Sequence, residues 1–312
     1  MAGLAATILA LVGCAPAADA GSIRIATVNN VVVEALVTGL RAGAGLPAGT
    51  TASFTELPAP DALRAALTSG QVDMAFLPVT SAANLARRNV DVRLLGVVDY
   101  PLFTVVGPAD AGSGWAGLRG RTITTAFRGD VTDFVVRALG TAAGLQPERD
   151  LLFDYRTQLP DVAADLATGR AEIGVLPDIA AARVVASSDG RLAPLVDLGA
   201  EWRAVTGHDL PWMAVVVRGE FAVAAPQTVQ ALQQQLIGAA TAVRDDPVAA
   251  ASPVAAATDD DPALVESVLR QASPQFRTAR AAQGDLAALF DRIMSDAPGL
   301  IGGGLPDDRF YN

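Results

Sequence analysis

Lysine does not occur in this chain of 312 residues: all 23 basic residues are arginine, set against 33 acidic ones for a formal charge of −10. That sign, with no basic stripe, excludes non-specific attraction to nucleic acid. Cysteine and histidine occur once each, as Cys14 and His208, so an internal disulfide and a cysteine-based metal site are both excluded. The chain also lacks a Gly-x-Ser-x-Gly elbow, a phosphate-binding P-loop and any His/Cys/Asp grouping at metal spacing. Gly302-Gly303-Gly304 follows a helical stripe rather than a strand, and Asp259-Asp260-Asp261 reads as a solvated helix start. No nucleophile has a partner, so no catalytic residue, metal or cofactor is expected. Long apolar runs are missing as well; the longest at the N-terminus, Ala5–Val12, is too short to span a bilayer.

What the chain does contain is one unit written twice. Leu67–Pro78 reads LTSGQVDMAFLP and Leu166–Pro177 reads LATGRAEIGVLP, 99 residues later. Each reads as a helix end, a left-handed Gly70 or Gly169, and a short apolar strand closed by proline. Phe54 and Phe153 keep the same offset, whereas the first strands line up less well. With 51% apolar and 18% charged residues, the composition is that of a folded chain long enough for two cores. The expected fold is α/β: two similar Rossmann-like lobes joined by a two-strand hinge.

The lobes follow from the order of elements. Ile23–Thr27, Ser53–Leu57 and Val72–Leu77 alternate with helical stripes over Val32–Leu40 and Ala59–Ser69, giving β-α-β-α-β. Arg121–Thr125, Leu151–Phe153 and Glu172–Leu176 repeat the order, with helices over Val131–Leu139 and Leu159–Thr168. Leu102–Val106 reads as the strand crossing into the second lobe, and Met213–Val217 as the strand that returns; beyond it the chain reads as helical. The expected division is residues 1–21 as a leader and tether, 22–100 plus 213–312 as the first lobe, and 101–212 as the second.

In open parallel sheets ligands bind beyond the carboxyl ends of the strands. Those ends here carry Asn29 and Asn30, Thr80 and Ser81, Phe127, Arg128 and Asp130, and Asp178. Three of these segments run straight into helices, whose free N–H groups favour an anion. Thr80, Asp130 and Asp178 are also ordinary helix caps. Arg128 is the one cation in these loops and suits a carboxylate, sulfonate or phosphate. Tyr100 and Trp212 lie at the two crossings and offer flat faces, while Trp202 reads as packing and His208 as an exposed turn residue.

The leader ends in Leu11-Val12-Gly13-Cys14, which resembles the bacterial lipobox; Cys14 would be diacylated and hold the body at a membrane surface. No basic residue precedes the run, which points to a start codon set too late. Asp73-Met74-Ala75-Phe76-Leu77-Pro78 with Thr80-Ser81-Ala82-Ala83-Asn84-Leu85, Gly174-Val175-Leu176-Pro177, and the tail Leu305–Tyr311 resemble extracytoplasmic solute-binding proteins of ABC importers. The architecture implied is the type II periplasmic-binding fold, and the branch resembled is the nitrate/sulfonate/taurine/thiamine-precursor group. Asp178-Ile179 stands where that group commonly has Glu-Pro. The resemblance implies a monomeric, lipid-anchored receptor on the outer face of the cytoplasmic membrane. It would capture a small anionic or flat organic solute between the lobes and deliver it to a permease and ATPase. Two other readings stay open: an enzyme on the same fold, similar to chorismate dehydratase, and a sensory ligand-binding protein.

Overall fold

The computed structural model describes residues 21–28, 30–41, 45–57 and 60–311. The first half of the chain runs β1 (Ser22–Thr27), α1 (Val31–Arg41), β2 (Thr51–Glu56), α2 (Pro60–Thr68), β3 (Met74–Pro78), α3 (Val79–Arg87) and β4 (Val92–Asp99). It continues through β5 (Phe103–Pro108), β6 (Arg121–Ala126), α4 (Val131–Ala142), β7 (Leu151–Arg156), α5 (Leu159–Thr168), β8 (Ile173–Pro177), α6 (Asp178–Ala186), β9 (Leu192–Asp197) and α7 (Leu198–Thr206). The last third is β10 (Met213–Arg218), α8 (Gly219–Ala224), α9 (Pro226–Asp245), α10 (Pro247–Thr258), α11 (Pro262–Ala272), β11 (Gln275–Thr278) and α12 (Gln283–Asp296). These elements build a six-stranded sheet of order β11-β4-β10-β3-β1-β2 and a five-stranded sheet of order β7-β6-β8-β5-β9.

Five strands of one sheet match five of the other. β2-β1-β3-β10-β4 corresponds to β7-β6-β8-β5-β9, and in each set the fourth strand is the antiparallel one. The match extends to detail. Pro78 pairs with Met213 and Pro177 with Phe103, so both prolines close their strands at matched positions. Register shifts fall between Val215 and Val216 in β10 and between Val105 and Val106 in β5. Gly70 and Gly169 adopt φ of 70° and 74°, the left-handed helix stop that the repeated motif requires. The poorer fit of the first strands has a simple cause. Ile25 pairs with Phe54 and Ile123 with Phe153, so the second copy holds one more residue between its first two strands.

The chain leaves the larger sheet after β4 and re-enters it at β10. The outgoing passage is Tyr100–Leu102, and β5 lies wholly within the smaller sheet, antiparallel to β8 and β9. The segment after β10 is not entirely helical, as the periodicity suggests. Gln275–Thr278 adds an edge strand to β4, four residues long and too short for alternation to reveal.

Each copy also carries an acid at the start of its third strand. In the first, Asp73 is fully buried. It accepts from the backbone N–H, Nε and Nη2 of Arg24 at 3.0, 2.9 and 2.7 Å and from Nη2 of Arg218 at 3.0 Å. Burial alone pushes this carboxyl up, but the bonds from Arg24 and Arg218 outweigh it and hold it below its usual range. β1, β3 and β10 are thereby tied at one end. In the second copy Glu172 pairs with Arg121 in the open. Asp73→Asn is expected to destabilise the protein by about 2–4 kcal/mol, because two guanidinium groups lose their shared anion. Glu172→Gln should cost less than about 1 kcal/mol, as a solvent-exposed pair. Urea denaturation of both variants checks the difference.

Candidate ligand-binding cleft

The site rests on two matched backbone contacts. Val79, the first residue of α3, donates its N–H to the Trp212 carbonyl at 2.9 Å; Asp178, the first of α6, donates to the Leu102 carbonyl at 3.0 Å. Val79 and Asp178 are equivalent by the 99-residue offset, and Trp212 and Leu102 each precede the strand that pairs with the proline. Both helix starts are therefore anchored on the chain passages between the sheets. Each helix begins directly after proline, and neither has a side-chain cap. Free N–H groups at a helix start attract acceptors and negative charge.

Around this frame the structure gathers several of the expected residues. Asn30 is buried just before α1, and its Oδ1 accepts from the Val33 N–H at 3.0 Å and from the Tyr100 hydroxyl at 3.1 Å. Tyr100 is buried at the outgoing passage. Burial raises its phenol well above the ordinary value, and the neighbouring charge of Asp178 adds to the effect, which places Asp178 within electrostatic reach. Asp178 Oδ1 accepts from the Ile179 N–H at 2.8 Å, while Oδ2 is buried with no hydrogen-bond partner among the described residues. Desolvation pushes this carboxyl up to about 7. Thr80 is buried and Ser81 half-buried, and neither hydroxyl is bonded to another described residue. Trp212 is 2% exposed and packs on Phe103 with ring centroids 5.1 Å apart; its Nε1 also lacks a partner among the described residues.

The remaining expected residues have other contacts. Phe127 is 43% exposed and takes φ of 56°, a left-handed conformation unusual for a bulky residue. Arg128, the expected anion ligand, is exposed and lies over the Tyr155 ring, 5.3 Å from its centroid. Asp130 caps α4, its Oδ1 accepting from the Asp133 N–H at 3.0 Å, and burial pushes its carboxyl up to about 7. Trp202 is 1% exposed and belongs to the core. His208 is an exposed turn residue, yet its Nδ1 contacts Asp285 at 2.9 Å. Asn29 and Cys14 lie outside the described residues.

Two further buried groups had no chemical signal in the sequence. Val79 contributes only a backbone N–H. Thr125 is buried at the end of β6 with an unpartnered hydroxyl; its one hint is its equivalence to Thr27, which is also buried. The two sheets also touch beyond the passages. Arg183 of α6 forms an ion pair with Asp260, just ahead of α11, and α6 packs against α11. A hollow of about 270 Å³ lies beside the passages, lined in part by Tyr100, Pro101, Arg203 and Leu210. Among the described residues no group of three or more His, Cys, Asp or Glu is placed to hold a metal ion.

No protein-family model matches the chain, and no curated protein does. Solved structures do match it. An ABC transporter protein from Parabacteroides distasonis superposes with a TM-score of 0.79 at 17% identity, covering 94% of this chain and 99% of that one. The periplasmic aliphatic sulphonate binding protein SsuA of Escherichia coli gives 0.76 at 16% identity, covering 94% and 92%. The alkanesulfonate-binding SsuA of Xanthomonas axonopodis pv. citri, bound to MOPS, gives 0.67 at 20% identity, covering 95% and 97%. This chain has the periplasmic-binding-protein fold. In that fold the two sheets form two lobes, and the passages through Tyr100 and Trp212 run between them.

The raised carboxyls of Asp130 and Asp178 make stability depend on pH. Both bind protons more tightly folded than unfolded, so stability is greatest below the unfolded value and falls as pH rises between about 4 and 7. Each contributes a change on the order of 2–4 kcal/mol across that window. Urea midpoints of the ligand-free protein should be higher at pH 5 than at pH 8, and Asp178→Asn should shrink the difference. Equal midpoints in the wild type would contradict the desolvation of both carboxyls.

Proposed function

We propose that this protein is the lipid-anchored, extracytoplasmic solute-binding component of an ABC importer. The lobes are residues 22–100 with 213–312, and residues 101–212. A small organic solute, anionic or flat, is captured where α3 and α6 begin, and the loaded form docks on a membrane permease driven by an ATPase. The observation that carries this reading is the matched anchoring of those two helix starts on the passages, with Asn30, Thr80, Tyr100, Asp178 and Trp212 gathered there. Such a frame lets a ligand touch both lobes at once, and a ligand that binds the closed arrangement better shifts the population toward it. The fold likeness to transport proteins supports a binding role over catalysis. No observation singles out an enzyme or a sensory role. Cys14, ahead of the described residues, is the proposed site of acylation and membrane attachment.

Protein purified without refolding should release a stoichiometric small molecule on denaturation, detected by mass spectrometry. An extract containing it should raise the melting temperature, since a solute at a hundred times its Kd adds about 2.7 kcal/mol. Thr80→Ala combined with Ser81→Ala should weaken that binding about tenfold while the ligand-free protein melts unchanged. Cys14→Ser should abolish labelling by radioactive palmitate and release the protein from membranes. Turnover of the released molecule into a product would instead establish an enzyme.

A further inference from the structure

The matched halves of the cleft differ most at one position. Where the first lobe places Val79, fully buried at the start of α3, the second places Asp178. The backbone task is the same in both: an N–H donated to the passage carbonyl at 2.9 and 3.0 Å. Valine performs it without burying a charge, so the acid is not needed to hold the frame. It is unfavourable there, because a buried carboxylate oxygen without a donor loses its hydration and gains nothing. Among the described residues no cation satisfies it. Lysine is absent from the sequence. Arg183, on the same helix, is engaged by Asp260; Arg277 is shared between Asp99 and Asp285; Arg128 lies over Tyr155. Tyr100 cannot serve either, since its hydroxyl donates to Asn30 at 3.1 Å.

We infer that Asp178 is the specificity-determining residue of the cleft, and that its free oxygen accepts from an N–H-bearing group of the solute: an amine, an amidine or an amino-heterocycle. The inference rests on the solute-binding reading above and narrows it. A purely anionic solute would place like charge beside Asp178, whereas an N–H donor supplies the missing partner, and a positive one forms a charge-assisted bond. The buried, unpartnered Nε1 of Trp212 and the Phe103 ring packed on it add a flat apolar wall and one further donor on the passages. The unbonded hydroxyls of Thr80 and Ser81, at the other helix start, tolerate a polar or acidic remainder of the same molecule.

The test is a melting-temperature and calorimetry panel of matched pairs that differ by the nitrogen donor: taurine with ethanesulfonate, 4-aminopyrimidine with pyrimidine, and benzylamine with toluene. At least one donor-bearing member should stabilise the wild type, and its counterpart should bind at least about tenfold more weakly. Asp178→Val, which installs the residue of the matched position, should abolish that preference while raising the melting temperature of the ligand-free protein by about 2–4 °C. Asp178→Asn should lose binding of the cationic probes. If the donor-free members bind as well as their partners, or if the donor-bearing members bind unchanged to both variants, the inference is overturned. It is overturned too if no donor-bearing probe binds. Solute release from the purified protein is independent of this panel, so the binding role would then stand or fall on that measurement alone.

Discussion

Two backbone hydrogen bonds, Val79 to Trp212 and Asp178 to Leu102, set the geometry on which everything functional depends. Each ties the first turn of a helix to the chain segment passing between the sheets. The tie is possible because β5 and β10 each enter a sheet antiparallel beside the strand that the helix follows. The antiparallel register runs one position past each proline, so the next N–H meets the carbonyl just ahead of the partner strand. This arrangement fixes each helix start against the passage beside it, while α6 against α11 adds a contact between the two halves. With it, Asn30 and Tyr100 from the first half come within reach of Asp178 from the second.

Duplication explains why the frame is symmetric, and side-chain divergence explains why the cleft is not. Register, bulge and helix stop are backbone properties, and they persist through extensive sequence change because many side chains satisfy them. Side chains facing the passages are freer to differ. Leucine at 102 is matched by tryptophan at 212, and valine at 79 by aspartate at 178. The same asymmetry appears at the other end of the sheets. There the buried Asp73 joins two arginines, while Glu172 meets one arginine in solvent. The first lobe thus has an electrostatic clamp inside its sheet that the second lobe does without.

Much of this architecture was legible in the sequence, because the signals were backbone signals. Gly70 and Gly169 had to end helices, Pro78 and Pro177 had to end strands, and the equal offset joined them into one repeat. The candidate site was legible in part. Asn30, Thr80, Tyr100, Asp178 and Trp212 were identifiable because strand ends and passages could be placed. For Arg128 only the charge was legible: the loop after β6 is longer than the loop after β1, with Phe127 and Gly129 at φ of 56° and 75°, and the packing of the guanidinium on Tyr155 had no sequence signal. β11 escaped because four residues at an edge show no period. Val79 escaped because its contribution is a backbone N–H, which no residue type reveals.

The passages are also clamped from outside the cleft, and this bears on how the lobes can move. Asp99 ends β4 immediately before the outgoing passage, and His208 precedes the return. Arg277 of β11 engages Asp99 and, at 2.6 Å, Asp285; Asp285 in turn contacts His208 at 2.9 Å. One network therefore holds an end of each passage to the same sheet. Dihedral change is left to the few residues between, Tyr100–Leu102 and Asp209–Trp212, and these include the two aromatic side chains and both carbonyl acceptors of the helix starts. A rotation of one sheet against the other must then alter the very atoms that would meet a ligand. In the proposed binding role, coupling between binding and closure would follow from that overlap, with no separate relay between the two.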